Sequence, residues 1–197
     1  MPQDPAEALA RLLEGNRRFV DGRPRTPVHS AHRVQLASTQ RPFAAILGCS
    51  DSRVPIETVF DQGPGDLFVI RLAGNIVTAE ALGSLEYAVD VLDSILVVVL
   101  GHTGCGAVAA ACARVESSAV FPGYIALLAE AIAPAAEEAR THGGDWHVRA
   151  VEYNVRASRA AILRRSSIVR AAAQRGAVHV VAALYDLHTG VVSMLAP

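Results

Sequence analysis

Four short stretches of the chain, Phe43 to Leu47, Leu67 to Ile70, Ile95 to Leu100 and Val178 to Leu184, are apolar almost without interruption. A strand with one wet face alternates apolar and polar residues, whereas unbroken runs of this length belong to strands covered on both faces, as in parallel sheets flanked by helices. Between the runs the spacing turns helical. Helices are expected over Thr78 to Leu92, Gly106 to Glu116, Tyr124 to Thr141 and, as one long element, from about His147 to Arg175. Asp186-Leu187-His188-Thr189-Gly190 reads as a turn, with Val191 to Leu195 as an antiparallel edge strand after it. The expected fold is α/β, with a mostly parallel central sheet flanked by helices and an antiparallel edge strand.

A first helix is expected over residues 4–21, opened by a capping Asp4, by Pro5 at the first helical position and by Glu7 placed for a capping box. Leu9, Leu12, Leu13, Phe19 and Val20 follow helical spacing, so this helix carries an apolar stripe that must be buried. Gly22 to Pro27 breaks it, and a short helical piece ending near Ala37 leads into the first strand. There is no internal repeat and no low-complexity linker, and residues 1–197 read as a single domain.

Net charge is −1 with both signs scattered along the chain, which gives no electrostatic reason for a nucleic-acid or anionic-membrane partner. Every basic residue among the 18 is arginine. The absence of lysine excludes Schiff-base enzymes and phosphate-loop NTPases, which need an amine. The start, Met1-Pro2-Gln3-Asp4-Pro5, does not read as a secretory signal, and no apolar run approaches the roughly 20 residues that span a bilayer, so a cytoplasmic protein is expected. Three cysteines, Cys49, Cys105 and Cys112, are an odd number and argue against a disulfide framework. Metal ligation or a reactive thiol is the better reading.

Two runs hold the chemistry. Cys49-Ser50-Asp51-Ser52-Arg53 follows the first apolar run, and His102-Thr103-Gly104-Cys105-Gly106 follows the third. Two thiolates, an imidazole and a carboxylate make up a four-coordinate zinc set. His102 is expected at a strand end and Cys105 in the first turn of the next helix, where amides and dipole favour a thiolate. If the first run is extended, Cys49, Asp51 and Arg53 share one side of it. The alternatives are plainer. Buried free cysteines are often core residues, and structural zinc sites use close pairs such as C-x-x-C, which this chain lacks. Gly104 to Ala109 also fits a relaxed dinucleotide-binding fingerprint, but the second strand ending in an acidic residue is missing. Cys112 lies seven residues after Cys105, two helical turns or about 10 Å along a helix, and reads as a core thiol. His29, His32, His142, His147, His179 and His188 have no partners at ligand spacing.

Together these residues resemble the beta-class carbonic anhydrases, whose signature is a C-x-D-x-R run followed by an H-x-x-C run. The likeness extends through Glu57 to Asp66, Phe68-Val69-Ile70-Arg71, Asn75, Glu86-Tyr87 and Gly101-His102, and is continuous from the first helix to Tyr185-Asp186. The resemblance implies reversible hydration of carbon dioxide to bicarbonate and a proton, with one zinc ion per chain on Cys49, His102 and Cys105. Asp51 then either completes the tetrahedron, closing the site, or pairs with Arg53 and leaves that position to water. Gln40 resembles the family glutamine that bonds bicarbonate, Phe68 and Tyr87 the apolar lining, and the Gly106 amide a further donor. In the family the glutamine and lining come from the neighbouring subunit of a homodimer, which also pairs into tetramers, so the first helix is expected to bury its stripe against that partner.

Two further expectations follow from the resemblance. Two thiolates cancel the metal's formal charge, where three histidines leave it intact, so activity should rise into the alkaline range. Some members hold a non-catalytic bicarbonate on a tryptophan, an arginine and a tyrosine. Arg71 and Tyr185 match, but Ile46 stands at the tryptophan position, and no cooperative inhibition by bicarbonate is expected. The ligands do not distinguish carbon dioxide from its sulfur analogues carbonyl sulfide and carbon disulfide. A zinc or thiol sensor on the same scaffold would have no use for Asp51 and Arg53 together.

Overall fold

The computed structural model describes residues 2–25, 34, 36–142 and 144–196. Its elements run α1 (Pro5–Val20), β1 (Ala44–Gly48), α2 (Ile56–Val59), β2 (Leu67–Arg71), a 3-10 turn (Ala73–Asn75), α3 (Ala79–Asp90), β3 (Leu96–His102), α4 (Gly106–Ser117), α5 (Ile125–Arg140), α6 (Trp146–Arg165), α7 (Ser167–Gln174), β4 (His179–Tyr185) and β5 (Val192–Leu195). The five strands form one sheet in the order β2-β1-β3-β4-β5, parallel except for β5, which runs antiparallel to β4. The α/β architecture with an antiparallel edge is the one the apolar runs imply. The short helical piece ending near Ala37 lies largely outside the described residues, and His29 and His32 lie wholly outside them.

Alternation along each strand sorts the core into two layers. Ala45, Leu47, Val97, Val99, Val180 and Ala182 face α3, α6 and α7, where Leu85, Val155, Ile162 and Val169 meet them. Ala44, Ile46, Leu96, Val98 and Leu100 face the other way, toward Leu12 of α1 and Ile56 and Val59 of α2. Both central strands are buried along their whole length, which is why they read as unbroken apolar runs.

The start of α1 is capped as the sequence indicates. Asp4 accepts from the Glu7 amide at 2.8 Å, while the Glu7 carboxylate reaches one residue further back, to the Gln3 amide at 2.7 Å. Part of the apolar stripe of α1 finds cover within its own chain. Ala8 and Leu12 are fully buried, and Asn16 donates to the carbonyls of Val59 and Gly190 and accepts from the Val192 amide. Full burial of a leucine contributes about 1.5–3 kcal/mol. Gly15 permits this approach, since a methyl group there would strike the Phe60 carbonyl. Leu9, Leu13 and Phe19 stay half-buried and Val20 is exposed, so part of the stripe remains open.

The long C-terminal helix divides in two. Ser166 is extended (φ −94, ψ 115) and its hydroxyl accepts from the Val169 amide, starting α7. The same hydroxyl donates to Glu86 of α3 at 2.6 Å. Helical periodicity continues through this point, so the break is decided by a cap and a contact with a distant helix.

Candidate metal centre

β1 and β3 are parallel neighbours, with Gly48 opposite Leu100. Their carboxyl ends therefore release Cys49 and His102 side by side, at the edge where open α/β sheets place their sites. Cys105 is the N-cap residue of α4, one position before the first helical turn. Among the described residues Cys49, His102 and Cys105 are the one group whose ligand atoms all lie within 4.8 Å of one another, and all three are buried.

The geometry of this triad fits zinc. The two sulfurs are 3.9 Å apart, close to the edge of about 3.8 Å that a tetrahedron with Zn–S bonds of about 2.3 Å requires. His102 is fully buried, and its Nδ1 lies 2.9 Å from the Thr103 carbonyl. A carbonyl only accepts, so Nδ1 carries the proton and Nε2 presents a bare lone pair. That Nε2 has no hydrogen-bond partner among the described residues. A buried nitrogen costs stability unless something binds it.

The charges agree with this. Left to themselves the two thiols share one negative charge, because a proton on Cys105 bonds to Cys49. This bond lowers Cys49 to about 4, against the effect of burial and with help from His102 and the Gly74 amide. Gly74 N–H donates to the Cys49 sulfur at 3.3 Å. The same neighbour and burial push Cys105 up, although the amides of Val108 and Ala107 at the start of α4 favour its thiolate. The placement at a helix start acts as expected but is outweighed by a second sulfur. Burial also opposes charge on His102, yet the Cys49 thiolate holds its pKa above the usual value. A divalent cation removes this competition by neutralising both sulfurs.

Asp51 and Arg53 meet through a turn rather than along an extended strand. The Val54 amide bonds the Asp51 carbonyl at 3.1 Å, and the Arg53 amide bonds Asp51 Oδ1 at 2.9 Å. The guanidinium then grips the carboxylate with Nε on Oδ1 and Nη2 on Oδ2, and Nη2 also touches the Gly104 carbonyl at 3.3 Å. The Arg53 side chain, aided by its amide, holds the Asp51 carboxyl well below the usual range. Asp51 is therefore turned away from the three ligand atoms, its Oδ2 stopping 3.8 Å from His102 Nε2.

The remaining sequence candidates separate. Gly106 opens α4 beside Cys105, with nothing within 4 Å of its α-carbon's free position. Gln40 is exposed in the loop before β1. Phe68 and Tyr87 pair with ring centroids 6.1 Å apart, but Phe68 lies opposite Ala45, four residues or about 13 Å of strand from Cys49. They do not line this chain's own triad. Cys112 is buried away from the group, and burial pushes its thiol up to about 11, as suits a core residue. Three supports escaped the sequence reading: Arg71, which donates to the carbonyls of Cys49 and Asp51 at 3.0 and 2.6 Å, the Gly74 amide and the Thr103 carbonyl. The last two are backbone groups, which leave no side-chain motif, and Arg71 is a side chain whose targets are backbone carbonyls.

Comparison with known proteins gives a consistent result. Residues 44–192 match the family model described as "Carbonic anhydrase". Carbonic anhydrase 2 of Mycobacterium tuberculosis is 42% identical over 188 residues, covering 95% of this chain and 91% of that protein. A carbonic anhydrase of Mycolicibacterium smegmatis is 37% identical, covering 97% and 93%. Among solved structures, a tetrameric beta-carbonic anhydrase of Sordaria macrospora superposes with a TM-score of 0.75 at 28% identity over 85% of this chain and 88% of that one. The Coccomyxa beta-carbonic anhydrase in complex with acetazolamide gives 0.72 at 32% identity over 95% and 86%.

Proposed function

The chain belongs to the beta-class carbonic anhydrase family, and from that membership we propose how its residues divide the work of hydrating carbon dioxide to bicarbonate and a proton. It is a carbonic anhydrase with a cysteine-histidine-cysteine site of the zinc-binding kind. Cys49, His102 and Cys105 hold the ion. When bound, zinc supplies a Lewis acid that makes a water acidic enough to act as a nucleophile.

The observation that carries the division of labour is the two-pronged Arg53–Asp51 pair beside the triad. Arg53 keeps Asp51 ionised and off the ligand set, so three protein ligands stand where a catalytic zinc needs one open position. Asp51, whose carboxylate stays an acceptor at neutral pH, takes a hydrogen bond from the attacking oxygen's proton and so aims a lone pair at the substrate carbon. The Gly106 amide at the start of α4 is placed to donate to the oxygen on which charge develops.

The pocket is completed by a second copy. Phe68 and Tyr87 lie too far from their own triad to serve it, while Tyr87 is 46% and Val91 57% exposed. Together they form an apolar surface suited to a partner whose own Phe68, Tyr87 and Gln40 reach across. A homodimer is the smallest complete unit, and a dimer of dimers accords with the tetrameric relative. No helix among the described residues is long and apolar enough to cross a membrane, and the cytoplasm is the proposed compartment.

Stopped-flow hydration of carbon dioxide on protein of measured zinc content, beside Asp51→Ala, tests the assignment. The variant is expected to keep its zinc and lose turnover by on the order of 100-fold. Chelation of the parent should abolish turnover, and zinc should restore it.

A further inference from the structure

We propose that Asn154 and Ser158 of α6 are positioning residues for the metal centre, acting on Cys49 through the 3-10 turn at Ala73–Asn75. The inference rests on Cys49 being a metal ligand. The Cys49 sulfur receives a backbone hydrogen bond from the Gly74 amide at 3.3 Å. The aim of that amide depends on how the turn is held.

The turn is strained. Gly74 has φ 69 and the next residue, Asn75, has φ 45, so two consecutive residues occupy the left-handed region. For a residue with a side chain such backbone is disfavoured and persists only where the surroundings impose it. Asn75 does not secure itself, since its Nδ2 makes no hydrogen bond among the described residues although the residue is buried. The restraint comes from α6. Asn154 Nδ2 donates to the Gly74 carbonyl at 2.8 Å, and Ser158 Oγ donates to the Asn75 carbonyl at 3.1 Å. Asn154 and Ser158 are four residues apart on one helix face, so they grip successive carbonyls of the turn. Both are buried, at 4% and 6% exposure, on a helix whose neighbouring inward residues are apolar. Packing closes the other side, because a Cβ on Gly74 would lie 2.5 Å from Ile132 Cδ1 and 3.0 Å from the Ala107 Cβ.

The result is a chain of contacts from α6, through two peptide groups, to a ligand sulfur. Outer contacts of this kind fix a ligand's direction and tune its donation to the metal. Loss of the Asn154 bond leaves the Gly74 carbonyl unpaired and frees the Gly74–Asn75 peptide; the Ala73–Gly74 peptide shares the Gly74 α-carbon with it, so the N–H aimed at sulfur loses its fixed direction.

The test measures zinc affinity by competition with a chromogenic chelator and the thiolate-to-cobalt absorption of the cobalt(II)-substituted enzyme. Asn154→Ala is expected to weaken zinc binding by about tenfold or more and to move the cobalt band. Ser158→Ala should weaken it less, and Ser158→Thr, which keeps the hydroxyl, should restore it. Ile162→Val, a buried change on α6 away from the turn, should lower the melting temperature with affinity and spectrum unchanged. If Asn154→Ala does not fold, the Ser158 pair decides. Unchanged affinity and spectrum in the variants that fold, or an equal loss in Ile162→Val, overturns the proposal. Cys49→Ser is the separate control: if it binds zinc as tightly as the parent, the ligand assignment itself fails.

Discussion

Arg53 binds Asp51 with Nε on Oδ1 at 2.9 Å and Nη2 on Oδ2 at 2.7 Å, and the carboxylate so held has its Oδ2 3.8 Å from His102 Nε2. The pair stands beside the metal ligands yet is partly open to water, with the Asp51 side chain 17% and the Arg53 side chain 58% exposed. Its importance is thus geometric more than energetic, since exposed ion pairs add little stability.

Removing the grip should cost activity while sparing the fold. Arg53→Ala is expected to lower carbon dioxide hydration by on the order of 100-fold with zinc content and melting temperature near the parent's. Arg53→Lys should recover only part of this, because an ammonium cannot present two parallel donors. Full activity in Arg53→Ala would show that Asp51 needs no restraint.

A carboxylate in the turn after β4 sets part of the acid stability. Asp186 caps the turn before β5, and the Thr189 amide and hydroxyl and the His188 amide hold its pKa below the usual value. A depressed folded pKa means the contribution is complete above the unfolded carboxylate's value of about 3.9 and disappears as pH falls through the lower, folded one. The melting-temperature gap between the parent and Asp186→Ala should therefore be constant from neutral pH to about pH 5 and close below about pH 4. Both proteins lose metal alike in acid, so the difference isolates Asp186. A gap that widens in acid contradicts the assignment.

Assembly and turnover should fail together if a partner completes the pocket. Tyr87→Arg places a charge on the exposed apolar surface beside β2 and is expected to yield a monomer by light scattering, with zinc bound and activity lost. A fully active monomer would exclude a partner's contribution.

Bicarbonate should inhibit without cooperativity. Ile46 is buried in the core and carries no side-chain donor, and Arg71 already spends its Nε and Nη2 on the carbonyls of Cys49 and Asp51, so the set that would hold a second bicarbonate is incomplete. Initial rates against bicarbonate should follow a simple hyperbola. A sigmoidal curve that Arg71→Ala abolishes would reverse this conclusion.

Much of the arrangement was legible before any coordinates. Buried strands leave a local signature, and with four such runs separated by helical spacing, chain connectivity alone implies a parallel sheet. Cys49 and His102 each follow one of those runs, so their position at strand ends came with the fold. Asp4 and Glu7 announced the start of α1 because a cap is made within a few residues.

What required the folded chain is whatever depends on groups far apart in sequence. The Ser166 break needs Glu86, 80 residues away, and the cover for α1 needs Gly190 and Val192. Apart from the Arg71 side chain, the supports of the ligands are peptide N–H and C=O groups, which every residue carries and no residue type advertises. Residue order by itself determined which side chains hold a metal and at which ends of which strands, because burial period and ligand chemistry are local properties. Tertiary structure alone decided that Asp51 faces Arg53 rather than the triad, that Gly74 directs its amide at Cys49, and that Phe68 and Tyr87 stand too far away to serve their own site, because distances between elements arise only when their faces pack.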